Sequence, residues 1–178
     1  MTDPRHSEIQ LRFREGGHLD MPLLKSLALA SWSAYQHELT PENWGRLSGS
    51  LSADETYRTL LETAYTIICE TQAAEIIGMA FLVPNGHPTE IYHADWSYIR
   101  FVSVHPDYQG LGTGRKLTAL CIAKAKENGE KYLALHTSEM MNSARHIYES
   151  LGFRVVKELP VRLGKKYWLY MMELTWVS

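Results

Sequence analysis

Three glycines at alternate positions, between a β-rich run and a helical run, restrict the fold of this chain more than any other feature. Gly110, Gly112 and Gly114 follow the β-rich run Trp96–Val104 and open a helical pattern over Thr113–Asn128. Glycine lets the backbone turn tightly and approach a ligand closely, because it has no side chain. A helix start carries unpaired N–H groups and the positive end of the helix dipole. The segment therefore predicts a strand, a turn and a helix whose N-terminus binds an anion such as phosphate.

Two common phosphate-binding motifs do not fit this loop. A P-loop requires Gly-x-x-x-x-Gly-Lys followed by Ser or Thr, but Arg115 follows Gly114, and neither Ser nor Thr follows Lys116. The dinucleotide fingerprint Gly-x-Gly-x-x-Gly fails because the sixth position from Gly110 is Arg115, and because no first βαβ strand precedes the loop. On glycine spacing alone, a turn that merely connects a strand to a helix is the alternative.

Apolar periodicity predicts the other elements of the chain. Alternation predicts a first strand over Ile9–Phe13, and helical spacing predicts a helix from Asp20 to about His37. Caps at Thr40 and Ser52 predict two further helical pieces. The later elements are predicted as strands over Tyr65–Glu70, Ile76–Val83 and Trp96–Val104, a helix over Thr113–Asn128, a strand over Tyr132–His136, a helix over Ser143–Leu151, and strands over Phe153–Glu158 and Lys166–Thr175. This order predicts an α+β or α/β sandwich around a mixed sheet.

Length and charge limit the domain count and the class of partner. With 178 residues and no repeat, low-complexity tract or linker, we expect a single domain over residues 1–178. The 18 Lys plus Arg against 20 Asp plus Glu leave a net charge of −2, which argues against a nucleic-acid partner. No apolar run reaches the roughly 18 to 20 residues of a membrane span, and the N-terminus has no signal or transit pattern. We therefore expect no membrane partner and a cytoplasmic location.

The cysteines and histidines show no metal-binding pattern. Cys69 and Cys121 are not spaced as a metal or redox pair, and each lies in an apolar run, so we expect two reduced core residues. The eight histidines show no His-x-x-x-His spacing. The sequence therefore predicts no metal site.

Two segments together resemble the GNAT N-acetyltransferase superfamily. Gln109–Gly114 fits the acetyl-coenzyme A signature [Gln/Arg]-x-x-Gly-x-[Gly/Ala], after a strand that ends in Val104-His105-Pro106. Asn142–Phe153 resembles the family pattern Asn-x-x-Ala-x-x-x-Tyr-x-x-x-Gly-Phe, although Ala144 stands at the third position and not the fourth. The resemblance implies a GNAT-like fold, with a mixed, mostly antiparallel sheet of about seven strands flanked by helices. It also implies an acetyl-CoA-dependent N-acetyltransferase that acts on a primary amine by direct attack.

The resemblance assigns acetyl-CoA, as co-substrate, to the loop and to the strand before it. Backbone groups of the loop would hold the pyrophosphate: Gln109, Gly110, Leu111, Gly112, Thr113, Gly114 and Arg115. Arg115 would add positive charge. Main-chain groups of Val102 and Val104 would pair with the pantetheine arm as a further strand would. Asn142 would bond the cofactor chain, and an ordinary helix N-cap is its alternative role.

Tyr148 is the residue that the resemblance makes the general acid, giving a proton to the coenzyme A thiolate. A phenol of pKa near 10 is suited to a thiolate whose thiol has a pKa near 8.5. The alternative is a core tyrosine, because Ala144, Ile147, Tyr148 and Leu151 form one helical stripe.

The resemblance places the amine acceptor near the first two helices and the strand around Trp96. These segments offer an aromatic, mildly acidic set for a cation, with Asp95 beside it: Trp32, Tyr35, His37, Glu38, Trp44 and Tyr98. Core packing is the alternative role of the aromatic residues. Some family members have a Glu at the position that aligns with Trp96, so the general base stays open between Asp95, His93 and Tyr98. Strand alternation places Tyr98 and Arg100 on one face and Asp95 on the other.

Competing functions of other classes are compatible with the same residues. A non-catalytic sensor module would bind an acyl-CoA through the same loop without releasing thiol. A structural protein with a plain glycine turn would not be stabilised by acetyl-CoA at all. For the enzyme, the partner is a small-molecule or peptide amine. The apolar run Tyr167–Met172 is compatible with a homodimer contact, with a core strand as the alternative.

Overall fold

Seven strands and five helices make up the part of the chain that the computed structural model describes, residues 9–174. The strands are β1 (Leu11–Glu15), β2 (Tyr65–Thr71), β3 (Ile76–Val83), β4 (Ser97–Val104), β5 (Tyr132–Ser138), β6 (Arg154–Arg162) and β7 (Lys165–Glu173). The helices are α1 (Met21–Ser33), α2 (Pro41–Ser52), α3 (Asp54–Thr63), α4 (Thr113–Glu127) and α5 (Asn142–Leu151).

All seven strands belong to one sheet in the order β1-β2-β3-β4-β5-β7-β6. Every neighbouring pair is antiparallel except β4 and β5, which run parallel. The predicted mixed, mostly antiparallel sheet is therefore confirmed. The run Tyr167–Met172 lies in β7, between β5 and β6, so it is a core strand.

Two apolar cores lie on opposite faces of this sheet. Side chains of α1, α2 and α3, among them Leu27, Leu51 and Tyr57, pack in the first core. Side chains of α4 and α5, among them Cys121 and Tyr148, pack in the second. The sheet is thus covered by helices on both faces, as the predicted sandwich requires.

Some boundaries differ from the sequence-based expectation. The first helix ends at Ser33, and a separate 3-10 turn follows over Gln36–Glu38. The predicted helix N-cap at Ser52 is wrong, because Ser52 is the last residue of α2 and its hydroxyl donates to the Ser48 carbonyl at 2.7 Å. Thr40 does cap α2, accepting from the Asn43 N–H at 3.1 Å.

The hairpin of β6 and β7 is longer than expected. Strand β6 continues to Arg162 because Pro160 lies on the edge strand of the sheet, where a missing N–H is tolerated. A turn at Leu163 and Gly164, with φ of +54° and +73°, then reverses the chain. The expected end of the last strand, Thr175, lies outside the described residues.

Both cysteines are free and buried, as predicted. Among the helices of residues 9–174, none is long and apolar enough to cross a membrane.

Candidate functional site

A gap opens in the sheet between β4 and β5. The two strands pair at only two positions, Ser97 with Leu133 and Tyr98 with Ala134. Both strands then continue, β4 to Val104 and β5 to Ser138, without further pairing to each other. Strand β4 therefore exposes an unpaired edge of backbone N–H and C=O groups, to which an extended ligand could bind as a strand does.

A β-bulge in β4 lies at the start of this gap. Between the pairs Phe81–Arg100 and Met79–Ser103, β4 has one residue more than β3. Within that stretch Phe101 adopts φ +53°, a left-handed conformation that is costly for a residue with a side chain. A bulge of this kind bends its strand and breaks the alternation of side chains.

The bulge places two consecutive side chains on the same face of the sheet. The Phe101 ring packs beside Tyr57 and Phe81 in the first core, with ring centroids 6.1 and 6.4 Å away. The Arg100 guanidinium lies 5.0 Å from the centroid of the Phe101 ring. Val102 packs against the second core, on the opposite face.

The backbone of Val102 and Val104 borders the gap. The His105 N–H donates to the Ile77 carbonyl in β3 at 2.8 Å, so its backbone faces away from the gap. Because backbone groups alternate in direction along an antiparallel pair, those of Val104 and Val102 face the other side. The Gln109 side chain donates to the Val104 carbonyl at 3.3 Å, so part of this edge is already capped by the loop.

The glycine loop after β4 presents a row of unused donors. Gly110 and Gly112 have φ of +82° and +77°, and Gly112 is the N-cap of α4. The first hydrogen bond of the helix runs from the Lys116 N–H to the Gly112 carbonyl at 3.0 Å. Within residues 9–174, no backbone N–H from Gln109 to Arg115 donates to an acceptor. Seven consecutive free donors at a helix start have the geometry that favours an anion.

A buried hydroxyl at the same helix start also lacks a partner. Thr113 is 3% exposed, and its Oγ1 has no hydrogen-bond partner among the described residues. A buried hydroxyl without a partner costs free energy, so a ligand oxygen at this position would stabilise it. Arg115 is exposed and donates to the Ser150 hydroxyl at 2.5 Å, which joins α4 to α5.

Helix α5 brings the two other predicted cofactor-side residues to the sheet. Asn142 is exposed and is the first residue of the helix, while Met141 is the N-cap, so the alternative N-cap role of Asn142 is wrong. Tyr148 is 6% exposed and packs in the second core together with Ile99 of β4 and Leu135 of β5, the strands that border the gap.

The Tyr148 hydroxyl is held as a neutral phenol. It makes no hydrogen bond to any group of residues 9–174, and its ring packs against Phe153 and Tyr170 at centroid distances of 6.0 and 6.5 Å. Burial raises the pKa of Tyr148 well above its ordinary value, with smaller electrostatic contributions from Cys121 and Tyr35. At neutral pH this group can donate a proton and does not carry charge.

On the other face, a cavity of about 550 Å³ lies beside the gap. Its wall combines Arg100 and Phe101 of β4, His136 and Thr137 of β5, and residues of α1, α2 and the β6–β7 hairpin. Three arginines line it, Arg46, Arg100 and Arg162, whereas no Asp or Glu of residues 9–174 does. The cavity is therefore basic, unlike the mildly acidic pocket that the sequence predicted.

His136 lies in this wall in its neutral form. Its Nδ1 shares a hydrogen bond of 2.6 Å with the Tyr92 hydroxyl. Burial, together with the positive charges of Arg100 and Arg162, lowers the pKa of His136 to about 4. Tyr92 in turn stacks on Tyr98, with the ring centroids 4.0 Å apart.

The structure separates the predicted acceptor residues. Trp32 lines the cavity, and the Tyr35 ring lies beside it at 6.2 Å. Tyr98 is buried behind the wall, where its hydroxyl donates to the His87 carbonyl at 3.0 Å. Glu38 and Asp95 are exposed and do not line the cavity. The general base therefore stays open.

Several residues of the cavity wall were not found from the sequence. These are Arg46, Arg100, His136, Thr137 and Arg162. A signal existed for Arg100, since it is the only charged residue in the apolar strand Ser97–Val104. For Arg46 and Arg162 no signal existed, because exposed arginines on a helix and on an edge strand are ordinary surface residues.

Known proteins resemble the chain in both sequence and structure. The family model described as "Acetyltransferase (GNAT) family" matches residues 28–153. The L-amino acid N-acyltransferase MnaT of Escherichia coli is 37% identical over 70 residues, which are 38% of this chain and 40% of that protein. Mycothiol acetyltransferase of Cellulomonas flavigena is 40% identical over 70 residues, which are 39% of this chain and 19% of that protein. The matches thus span less than half of these relatives.

Solved structures match over nearly the whole chain at low identity. The PaiA N-acetyltransferase of Thermoplasma acidophilum, in complex with coenzyme A, superposes with a TM-score of 0.75 at 14% identity, covering 92% of this chain and 99% of that one. The ribosomal-protein-S18-alanine N-acetyltransferase of Escherichia coli superposes with a TM-score of 0.69 at 18% identity, covering 95% and 97%. At such identity the superpositions establish the fold alone.

Proposed function

Because the chain belongs to the acetyltransferase (GNAT) family, we propose that it transfers the acetyl group of acetyl-CoA to a primary amine. The observation that carries the proposal is the row of unused N–H donors from Gln109 to Arg115, immediately after the unpaired edge of β4. A ligand with a pyrophosphate at one end and an extended amide chain at the other complements both features.

The residues of the loop and of the gap fit acetyl-CoA. Its pyrophosphate would accept hydrogen bonds from the free N–H groups of the loop and from the orphaned Thr113 hydroxyl. Arg115 would add positive charge at the exposed rim. The amide groups of the pantetheine arm would pair with backbone groups of Val102 and Val104 in the gap. The exposed Asn142 side chain would bond the same arm from the start of α5.

Acetyl-CoA supplies a thioester, in which the C–S bond breaks as the C–N bond to the amine forms. Tyr148 protonates the departing thiolate as a general acid and regains its proton from solvent. Burial raises its pKa, so the phenol is protonated at neutral pH before the reaction begins. The proton that the amine loses passes to solvent water.

The acetyl group moves directly, without an acyl-enzyme. Burial raises the pKa of Cys69 to about 11 and that of Cys121 to about 12, so neither is a thiolate at neutral pH. A buried neutral thiol is a poor nucleophile.

The acceptor is a small-molecule or peptide amine. Relatives that match similar shares of this chain are named for L-amino acids, for mycothiol and for an alanine of a ribosomal protein. These names cover several acceptor classes, so the match alone does not select one.

Thiol release from acetyl-CoA in the presence of an amine panel tests the proposal, with Tyr148→Phe beside the wild type. We expect the substitution to lower kcat about 100-fold or more, while the Kd for acetyl-CoA stays nearly unchanged. Tyr65→Phe is the matched control, since Tyr65 lies on β2 under Lys124, away from the gap. Equal kcat in wild type and Tyr148→Phe would contradict the role of Tyr148. Acetyl-CoA binding without thiol release for any amine would favour the sensor module.

A further inference from the structure

We propose that the amine acceptor is a small molecule that also carries a carboxylate, as a free amino acid does, and that Arg100 and Arg162 bind this carboxylate in the basic cavity. The inference rests on the proposed acetyl transfer and specifies its acceptor. The cavity supports it through its unpaired charges, its unused donors and its size.

The charge of the cavity lacks a counterion. Arg46 is paired with Glu42 at 3.1 Å, but neither Arg100 nor Arg162 forms an ion pair with any Asp or Glu of residues 9–174. Arg100 lies in a central strand and is partly buried, so its guanidinium has lost part of its hydration. A partly buried cation is stabilised by an anion that hydrogen bonds to it, and guanidinium groups match carboxylates in geometry.

The two arginines act on the same point of the cavity. Both lower the pKa of the His136 imidazole electrostatically, although they lie on different strands, β4 and β6. Their charges therefore converge at the end of β5. An acidic group bound beside His136 would interact with both guanidinium groups at once.

Neutral donors of the wall are also without partners. The Thr137 hydroxyl, in a side chain that is 3% exposed, has no hydrogen-bond partner in the described part of the chain. The same holds for the indole N–H of Trp32, which can only donate. Both residues line the cavity. An anionic ligand with several acceptor oxygens would satisfy both groups, whereas an ammonium group could donate to the Thr137 hydroxyl but would leave the Trp32 N–H without an acceptor.

The volume and the positive charge of the cavity disfavour other classes of amine. A volume of about 550 Å³ lies within the usual range for small-molecule sites. A polyamine would bring only positive charge next to Arg100 and Arg162, which have no carboxylate partner, so its binding is opposed electrostatically. In a free amino acid, the carboxylate would bind the arginines while the amine points to the gap, where the thioester lies.

The test compares three forms of one acceptor in the thiol-release assay. The L-amino acid with the highest kcat/KM is compared with its carboxamide and with its decarboxylated amine. We expect the acid to be preferred about 10-fold or more, the usual effect of a charge-assisted hydrogen bond. Arg100→Gln should raise KM for the acid about 10- to 100-fold and leave KM for the carboxamide and for acetyl-CoA unchanged. Arg58→Gln is the control, because Arg58 is exposed on α3 and paired with Glu55.

A binding measurement separates the two proposals. Calorimetric titration of the amino acid into protein saturated with coenzyme A should show binding that Arg100→Gln weakens and Arg58→Gln does not. Thiol release with neutral amines or polyamines but not with amino acids would overturn this inference and leave the proposed acetyl transfer intact. Equal losses for acid and carboxamide in Arg100→Gln would also overturn it. Failure of acetyl-CoA to bind at all would refute the proposed function itself.

Discussion

Replacing Thr113 by Val should change the free protein and its acetyl-CoA complex in opposite directions. The Thr113 hydroxyl is buried at the start of α4 and has no partner in the described residues. Valine keeps the branched shape and removes only this hydroxyl. The free protein is then relieved of the free-energy cost of a buried hydroxyl without a partner, whereas the complex loses a hydrogen bond to a phosphate oxygen.

The size of each change follows from the state of the hydroxyl. An unsatisfied buried polar group costs about 1–3 kcal/mol, so Thr113→Val should stabilise the free protein by on the order of 1 kcal/mol. For a chain of this length that raises Tm by about 2–4 °C. A hydrogen bond to a charged group contributes about 1.5–3 kcal/mol, so Kd for acetyl-CoA should rise about 10- to 100-fold.

Thr118 offers a matched control within the same helix. Its hydroxyl is fully buried but donates to the Gly114 carbonyl at 2.8 Å. Thr118→Val therefore removes a hydrogen bond that already exists. It should lower Tm by an amount equivalent to about 1 kcal/mol and leave Kd for acetyl-CoA unchanged.

Thermal unfolding with and without saturating acetyl-CoA measures both changes, and calorimetry gives Kd. If Thr113→Val lowers Tm of the free protein and leaves Kd unchanged, the hydroxyl is already satisfied without the ligand. The reasoning that assigns Thr113 to the phosphate site would then be refuted, even with the rest of the loop intact.

Two further predictions concern the backbone of the loop and the charge of the cavity. Gly112→Ala puts a side chain on a residue with φ +77° and should destabilise the free protein by about 1–2 kcal/mol. Gly45→Ala, inside α2, should stabilise the protein by about 0.5–1 kcal/mol. Urea unfolding measures both free energies, and a change of the same sign in the two variants would contradict the argument from backbone strain. The His136 imidazole should titrate at about pH 4 when followed by NMR. Because folding lowers its pKa, its contribution to stability should be lost as the pH falls from about 6.5 to 4. Arg100→Gln should raise the pKa of His136, and an unchanged pKa would place Arg100 away from His136.

Local patterns in the sequence were sufficient for most elements and for the loop. The loop from Gln109 to Gly114 could be read directly, since its glycines and the helix that follows are adjacent in the chain. Patterns formed by residues that are neighbours in the sequence also predicted β2, β3 and α4. The prediction of a helix cap at Ser52 was wrong because helix α2 continues through this residue, and its hydroxyl donates back to the Ser48 carbonyl.

The acceptor side could not be predicted in the same way. Its wall combines residues from α1, α2, β4, β5 and the β6–β7 hairpin, which are distant along the chain. Their proximity depends on the order of strands in the sheet, which no local pattern encodes. Charge and position in the sequence therefore indicated Glu38 and Asp95, which do not line the cavity, and of the residues that do line it they indicated Trp32. The roles of the individual site residues, Tyr148 included, stay predictions.

The bulge at Phe101 links the two sides of the site physically. Its φ of +53° is costly for a phenylalanine, and the packing of the ring beside Tyr57 and Phe81 offsets that cost. One extra residue in β4 turns Arg100 and Phe101 to the same face and lies where pairing with β5 ends. Without it, strict alternation would direct Phe101 to the second core and shift every later residue of β4 to the other face. The unpaired edge and the basic wall thus depend on the same backbone irregularity, which explains why they adjoin.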